Sequence, residues 1–159
     1  MDTQSLHNVL IILHAISATI CFFTGCFLIL SLKQAVNQQW FNFYWGALVG
    51  MVILLAGAIL VYWTNYSSLE RIIFPGLFVL GIYMLYRARN ANLLRKARQN
   101  DWTQGYIEHI GFTLISLFEG FIIVSGLNSG VPGWLVALLA ILGVLTGRWM
   151  IGFEQRRVA

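Results

Sequence analysis

The side chains able to do chemistry in this chain are few, and several lie inside long apolar runs: His7, His14, Cys21, Cys26, Glu108, His109, Glu119 and Arg148. An ionisable group at bilayer depth costs about 2.5–3.5 kcal/mol on insertion scales, so it faces a protein interior or marks a pathway. His14 lies about five residues from the start of the first apolar run, and Glu119 about eight from the end of the fourth. At 1.5 Å per residue the two are similar in depth, which predicts an intramembrane His14–Glu119 pair suited to a proton or cation pathway. Glu108, His109 and Arg148 form a second polar set nearer the other side, with Arg148 expected to pair with Glu108.

Redox chemistry needs a ligand set, and the spacing limits it. A haem b or quinone site would centre on His14. His7 and His14 share one face of one helix, about 10 Å apart, so they cannot be the two axial ligands of one iron. His109 belongs near the opposite surface from His14 and cannot share a haem with it. His7 and His14 remain weak metal candidates, because no His/Cys cluster has zinc spacing. Cys21 and Cys26 are five apart and point about 140° away from each other on a helix, so they do not bridge. The chain has no phosphate loop, nucleophile elbow, HExxH or paired catalytic carboxylates.

The elements that must position these groups are helices. Hydrophobic residues make up 58% of the 159 residues and charged ones 10%, against about 25% charged in a soluble domain. A bilayer core needs about 20 apolar residues per helix. Five stretches qualify, at about 9–32, 43–63, 69–90, 106–127 and 132–153. The expected fold is one all-α membrane domain, residues 1–159, of five transmembrane helices. The first run lacks a basic leader and a small-residue cleavage pattern, and reads as a retained span.

Charge predicts orientation. If the spans alternate, Lys33, Arg87, Arg89, Arg95, Lys96, Arg98, Arg148, Arg156 and Arg157 fall on one side, and only Arg71 on the other. Basic residues stay cytoplasmic, so the N-terminus is expected outside and the C-terminus inside. The basic cytoplasmic segment, 87–101, is expected to continue span three as a helix. Its Arg87, Arg89, Arg95, Lys96 and Arg98 would attract anionic lipid.

Local signals set the ends. Ser67 and Glu70 have capping-box spacing, and Asp101 with Gln104 can cap span four. Pro75 falls early in span three, and Pro132 at the start of span five. Small residues that allow close helix approach are Ala18, Gly25, Gly46, Gly50, Gly57, Gly143 and Gly147. They suit packing of the bundle, or a homo-oligomer or larger membrane complex.

The segments LHAISATICFFTGCFLI (13–29) and EHIGFTLISLFEGFIIVSGLNSGVPGWLVALLAILG (108–143) together resemble small uncharacterised bacterial multi-pass membrane proteins. In those, the first span opens with a His and a later span opens with a His and ends before a Pro–Trp hairpin. The matching positions are His14, His109, Pro132 and Trp134. The second span here opens FNFYWG, without the His often found there. The resemblance implies a helical membrane fold and the bacterial inner membrane. The functional expectation is a non-enzymatic subunit or accessory component of a membrane complex, or a lipid- or lipophile-binding bundle. The alternatives are the redox centre at His14 and the His14–Glu119 ion pathway.

Overall fold

The computed structural model describes residues 2–31, 37–98 and 102–158. All regular structure there is helical: α1 (Thr3–Leu30), α2 (Gln38–Tyr62), α3 (Glu70–Ala97), α4 (Trp102–Asn128) and α5 (Gly133–Val158), with a short 3₁₀ turn at Trp63–Asn65. Each of the five helices is long and apolar enough to cross a membrane. They run longer than their apolar stretches because polar or basic residues continue each of them, chiefly at one end. Helix α3 keeps its helical path through the basic residues to Ala97. Lys33 and Asp101 fall outside the described residues.

The helix ends follow side-chain chemistry. The Asp2 carboxylate accepts from the Ser5 amide at 3.1 Å and caps α1. The hydrogen bond from Ser5 holds the Asp2 carboxyl below its usual range. Ahead of α3, the amide and hydroxyl of Ser67 donate to Glu70 Oε2 at 2.8 and 2.7 Å, the closed capping box. Between α4 and α5 the chain reverses at Gly130, whose φ of 67° suits glycine. The Val131 amide donates back to the Gly126 carbonyl at 3.1 Å, the six-to-one bond of a Schellman turn.

Consecutive helices pack side by side, and α4 also reaches back to α1. Helix α4 is therefore the hub, touching α1, α3 and α5. The dense core lies toward the end that carries the basic residues. It joins Cys21 and Leu28, Phe41, Tyr44 and Leu48, Met84 and Ala88, and Tyr106 and Ile110. Gly25 permits the junction: a Cβ there would come within 2.8 Å of Leu114 and 3.2 Å of Tyr44.

Helix α5 packs chiefly on α4, by an alternating fit of bulk into notch. A Cβ on Gly111 would meet Ile151 at 2.5 Å, one on Gly147 would meet Ile115 at 2.5 Å, and one on Gly126 would meet Val136 at 2.6 Å. Gly143 faces the Glu119 carboxyl in the same way. Each step forward along α4 is matched by an equal step back along α5, so one antiparallel register holds throughout. Small residues facing large ones let the backbones approach without voids. Of the glycines picked out in the sequence, Gly46 departs from this role: it is exposed, and a Cβ there would meet nothing within 4 Å.

Gly111→Leu should therefore lower unfolding stability in mild detergent by about 1–3 kcal/mol through overpacking. Gly46→Leu, which adds the same atoms to open space, should stay within about 0.5 kcal/mol of the parent. Equal losses from the two changes would contradict the register.

Candidate functional site

His14 and Glu119 do not meet. The Nδ1 of His14 lies 2.9 Å from the Met51 carbonyl on α2, and that of His7 lies 3.2 Å from the Ala58 carbonyl. The two histidines sit seven residues apart on α1, and their acceptors sit seven apart on α2. The next step along the same interface brings Gly50 within 3.8 Å of Ser17 and Gly57 within 3.7 Å of Leu10, measured to an added Cβ. A Cβ at either glycine would make only ordinary contact; each imidazole uses a helical carbonyl that keeps a second lone pair free. His7 also stacks on Tyr62 at 4.3 Å, beside Tyr66. The histidines act as staples between α1 and α2.

Glu119 faces the other way, toward Gly143 on α5. The two helix ends are not level: with Gly25 opposite Leu114, the last residue of α4, Asn128, lies opposite Ile11, so α1 starts about eight residues beyond it. With Gly25 opposite Leu114, His14 is level with Ser125, roughly 9 Å along the axis from Glu119. The same register keeps His109 far from His14, about 24 Å along the axis. Among the described residues no group of three His, Cys, Asp or Glu side chains converges as metal ligands. Cys21 and Cys26 are both free thiols.

Glu108 also has a different partner from the one expected. Arg87 Nη2 on α3 lies 3.2 Å from Glu108 Oε1 and donates to the Glu108 carbonyl at 3.3 Å. Its guanidinium sits 5.0 Å over the Phe112 ring. Because α3 continues as a helix to Ala97, Arg87 is carried alongside α4 instead of ending at a span boundary. That continuity was the sequence signal for the pair. Arg148 stands across from them on α5 and has no ion pair or hydrogen bond among the described residues.

These groups line a cleft of about 250 Å³ between α3, α4 and α5. Arg87, Glu108, Arg148 and Gln155 form its polar wall, and Phe112, Ile115 and Ile151 its apolar floor. Among the described residues the buried Nε of Arg87 has no hydrogen-bond partner, nor has the buried Nδ1 of His109, next to Glu108 in sequence. One carboxylate faces two guanidiniums, so the cleft carries excess positive charge. A shallower groove of about 210 Å³ between α2 and α3 is lined by Phe41, Asn42, Trp45, Arg89 and Asn92.

The other basic residues of α3 divide into two kinds. Arg95 is turned inward, donating to Gln38 and Asn92 and lying 4.8 Å over the Phe41 ring. Arg89, Lys96 and Arg98 are exposed.

Glu119 itself is 8% exposed, and neither carboxyl oxygen has a hydrogen-bond partner among the described residues. Its carboxyl fills the space that a side chain at position 143 would take. Ile115, the last floor residue of the cleft, is one turn away on the same helix.

Compared with family models, with curated proteins and with solved structures, the chain finds no match.

The separation of His14 from Glu119 is measurable. His14→Phe should cost roughly 0.6–1.7 kcal/mol, the usual worth of an interhelical hydrogen bond in lipid. Combined with Glu119→Gln, the two losses should add within about 0.5 kcal/mol. A coupling above about 1 kcal/mol would put the pair in contact.

Proposed function

We propose that this chain is a non-enzymatic, multi-pass membrane protein of the bacterial inner membrane, with its basic end cytoplasmic, that holds an anionic phospholipid in the α3–α4–α5 cleft. The observation that carries this reading is the cleft itself, where Arg148 is unpaired among the described residues and a buried Arg87 nitrogen is unsatisfied, both above an apolar floor. A phosphate offers acceptors to both guanidiniums, and an acyl chain suits Phe112, Ile115 and Ile151. A soluble anion would leave that floor wet. The exposed Arg89, Lys96 and Arg98 sit at the same end, where each contributes about 1 kcal/mol of attraction to an anionic leaflet. The charge bias of the loops supports the orientation.

Such a protein serves as a lipid-bound component of a membrane assembly, either its own oligomer or a larger complex. The test is retention of added phosphatidylglycerol and phosphatidylcholine by the full chain in mild detergent, read by native mass spectrometry. The parent should keep phosphatidylglycerol preferentially. Arg148→Gln should weaken that retention about tenfold, as expected for one charge-assisted hydrogen bond of roughly 1.5 kcal/mol, and leave the fold intact because Arg148 holds no described partner. Equal retention of the two lipids, or an Arg148→Gln protein indistinguishable from the parent, would remove the proposal.

A further inference from the structure

We propose that Glu119 is a proton-binding site whose proton is exchanged with water through the α3–α4–α5 cleft. Its carboxyl is more than nine-tenths buried between α4 and α5, and both oxygens lack a partner among the described residues. Glu119 lies nine residues from the end of α4, roughly 14 Å along the axis. A carboxylate there would be an uncompensated charge in an apolar slot, which costs far more than a neutral acid.

Among the described residues no neighbour supplies the missing charge. On α5 the ionisable side chain nearest in sequence to Gly143 is Arg148, and it lies at the cleft. On α3, Arg71 donates to the Thr64 carbonyl, Glu70 closes its capping box, Tyr83 packs on Phe112 and Arg87 holds Glu108. On α1, His14 is bound to Met51 and Cys21 is a buried thiol. On α4 itself, Glu108 and His109 are about three turns away. Among the described residues no second carboxylate or ring of carbonyls surrounds Glu119, whereas a metal cation needs several oxygens at once. A proton needs only one. In the exchange, a hydronium ion at the head of the cleft passes its proton to a carboxylate oxygen and leaves as water, and the reverse step restores the carboxylate.

The path is short. The cleft's floor ends at Ile115, one helical turn from Glu119. The fit of Glu119 against Gly143 makes the proton state matter to packing, because the carboxyl takes the place of a knob in the α4–α5 register.

Infrared spectroscopy of the full-length protein in mild detergent reads the proton directly. A carboxylic-acid C=O band should be present at neutral pH, shift on transfer to D₂O, and be lost in Glu119→Gln. As a second reading, a hydrophobic carbodiimide, to whose C=N bond a protonated carboxyl adds, should react once per chain at Glu119 and not at all in Glu119→Gln. Circular dichroism and gel filtration of that variant check its fold. Absence of the acid band at neutral pH, or a band that persists in Glu119→Gln, overturns the site. A band that does not shift in D₂O overturns the route.

Discussion

The arrangement depends on backbone closeness achieved through glycine. Helices in an apolar solvent gain nothing from burying more apolar surface against each other, so association rests on shape and on the few polar contacts available. In this chain the shape is written as notches that face knobs. Gly111, Gly147 and Gly126 receive Ile151, Ile115 and Val136, and Gly143 receives Glu119. Because the pairs share one register, α5 cannot slide along α4 without driving several side chains into backbone at once. On the other side of the bundle, His7 and His14 set the register of α1 on α2 in the same repeated way.

The cleft and the buried acid both follow from that constraint. Helix α4 touches α1, α3 and α5, so its residues decide what each interface contains. Glu108 draws Arg87 toward α4 at the basic end. Arg148 is held opposite by the α5 register. Three helices meeting around one ion pair leave a wedge with a polar rim and an apolar floor. Further along, the same face of α4 presents Glu119 where the ladder calls for a bulky residue. The cleft and the Glu119 carboxyl share one groove, so a buried acid stands within a turn of a ligand-sized space.

Much of the fold could be read from the sequence, because the number of helices rests on apolar length, a robust quantity. The caps at Ser67 and at the Gly130 turn rest on local chemistry and were equally accessible. The site was read less well, for physical reasons. Equal depth for His14 and Glu119 assumes that the adjoining ends of α1 and α4 are level, but α1 starts about eight residues beyond the end of α4. That offset separates the two side chains. The seven-residue spacing of His7 and His14, matched by Gly50 and Gly57, held the correct partner of each histidine. The pairing of Glu108 with Arg148 rests on depth alone, although the helix expected to continue through Arg87 also puts that guanidinium within reach of the same carboxylate. Gly111 and Gly126 were overlooked as notches because they become meaningful only when read against Ile151 and Val136 on the other helix.

The most direct test of this account is disulfide trapping between α4 and α5 in a background where Cys21 and Cys26 are replaced by Ala. Cysteines at positions 115 and 147 occupy a matched knob and notch, so mild oxidation should join them within one chain. Cysteines at 115 and 149 place the second thiol on the outer face of α5 and should stay free. Efficient trapping of the second pair, or failure of the first in a folded protein, would contradict the register on which the cleft and the Glu119 site both stand.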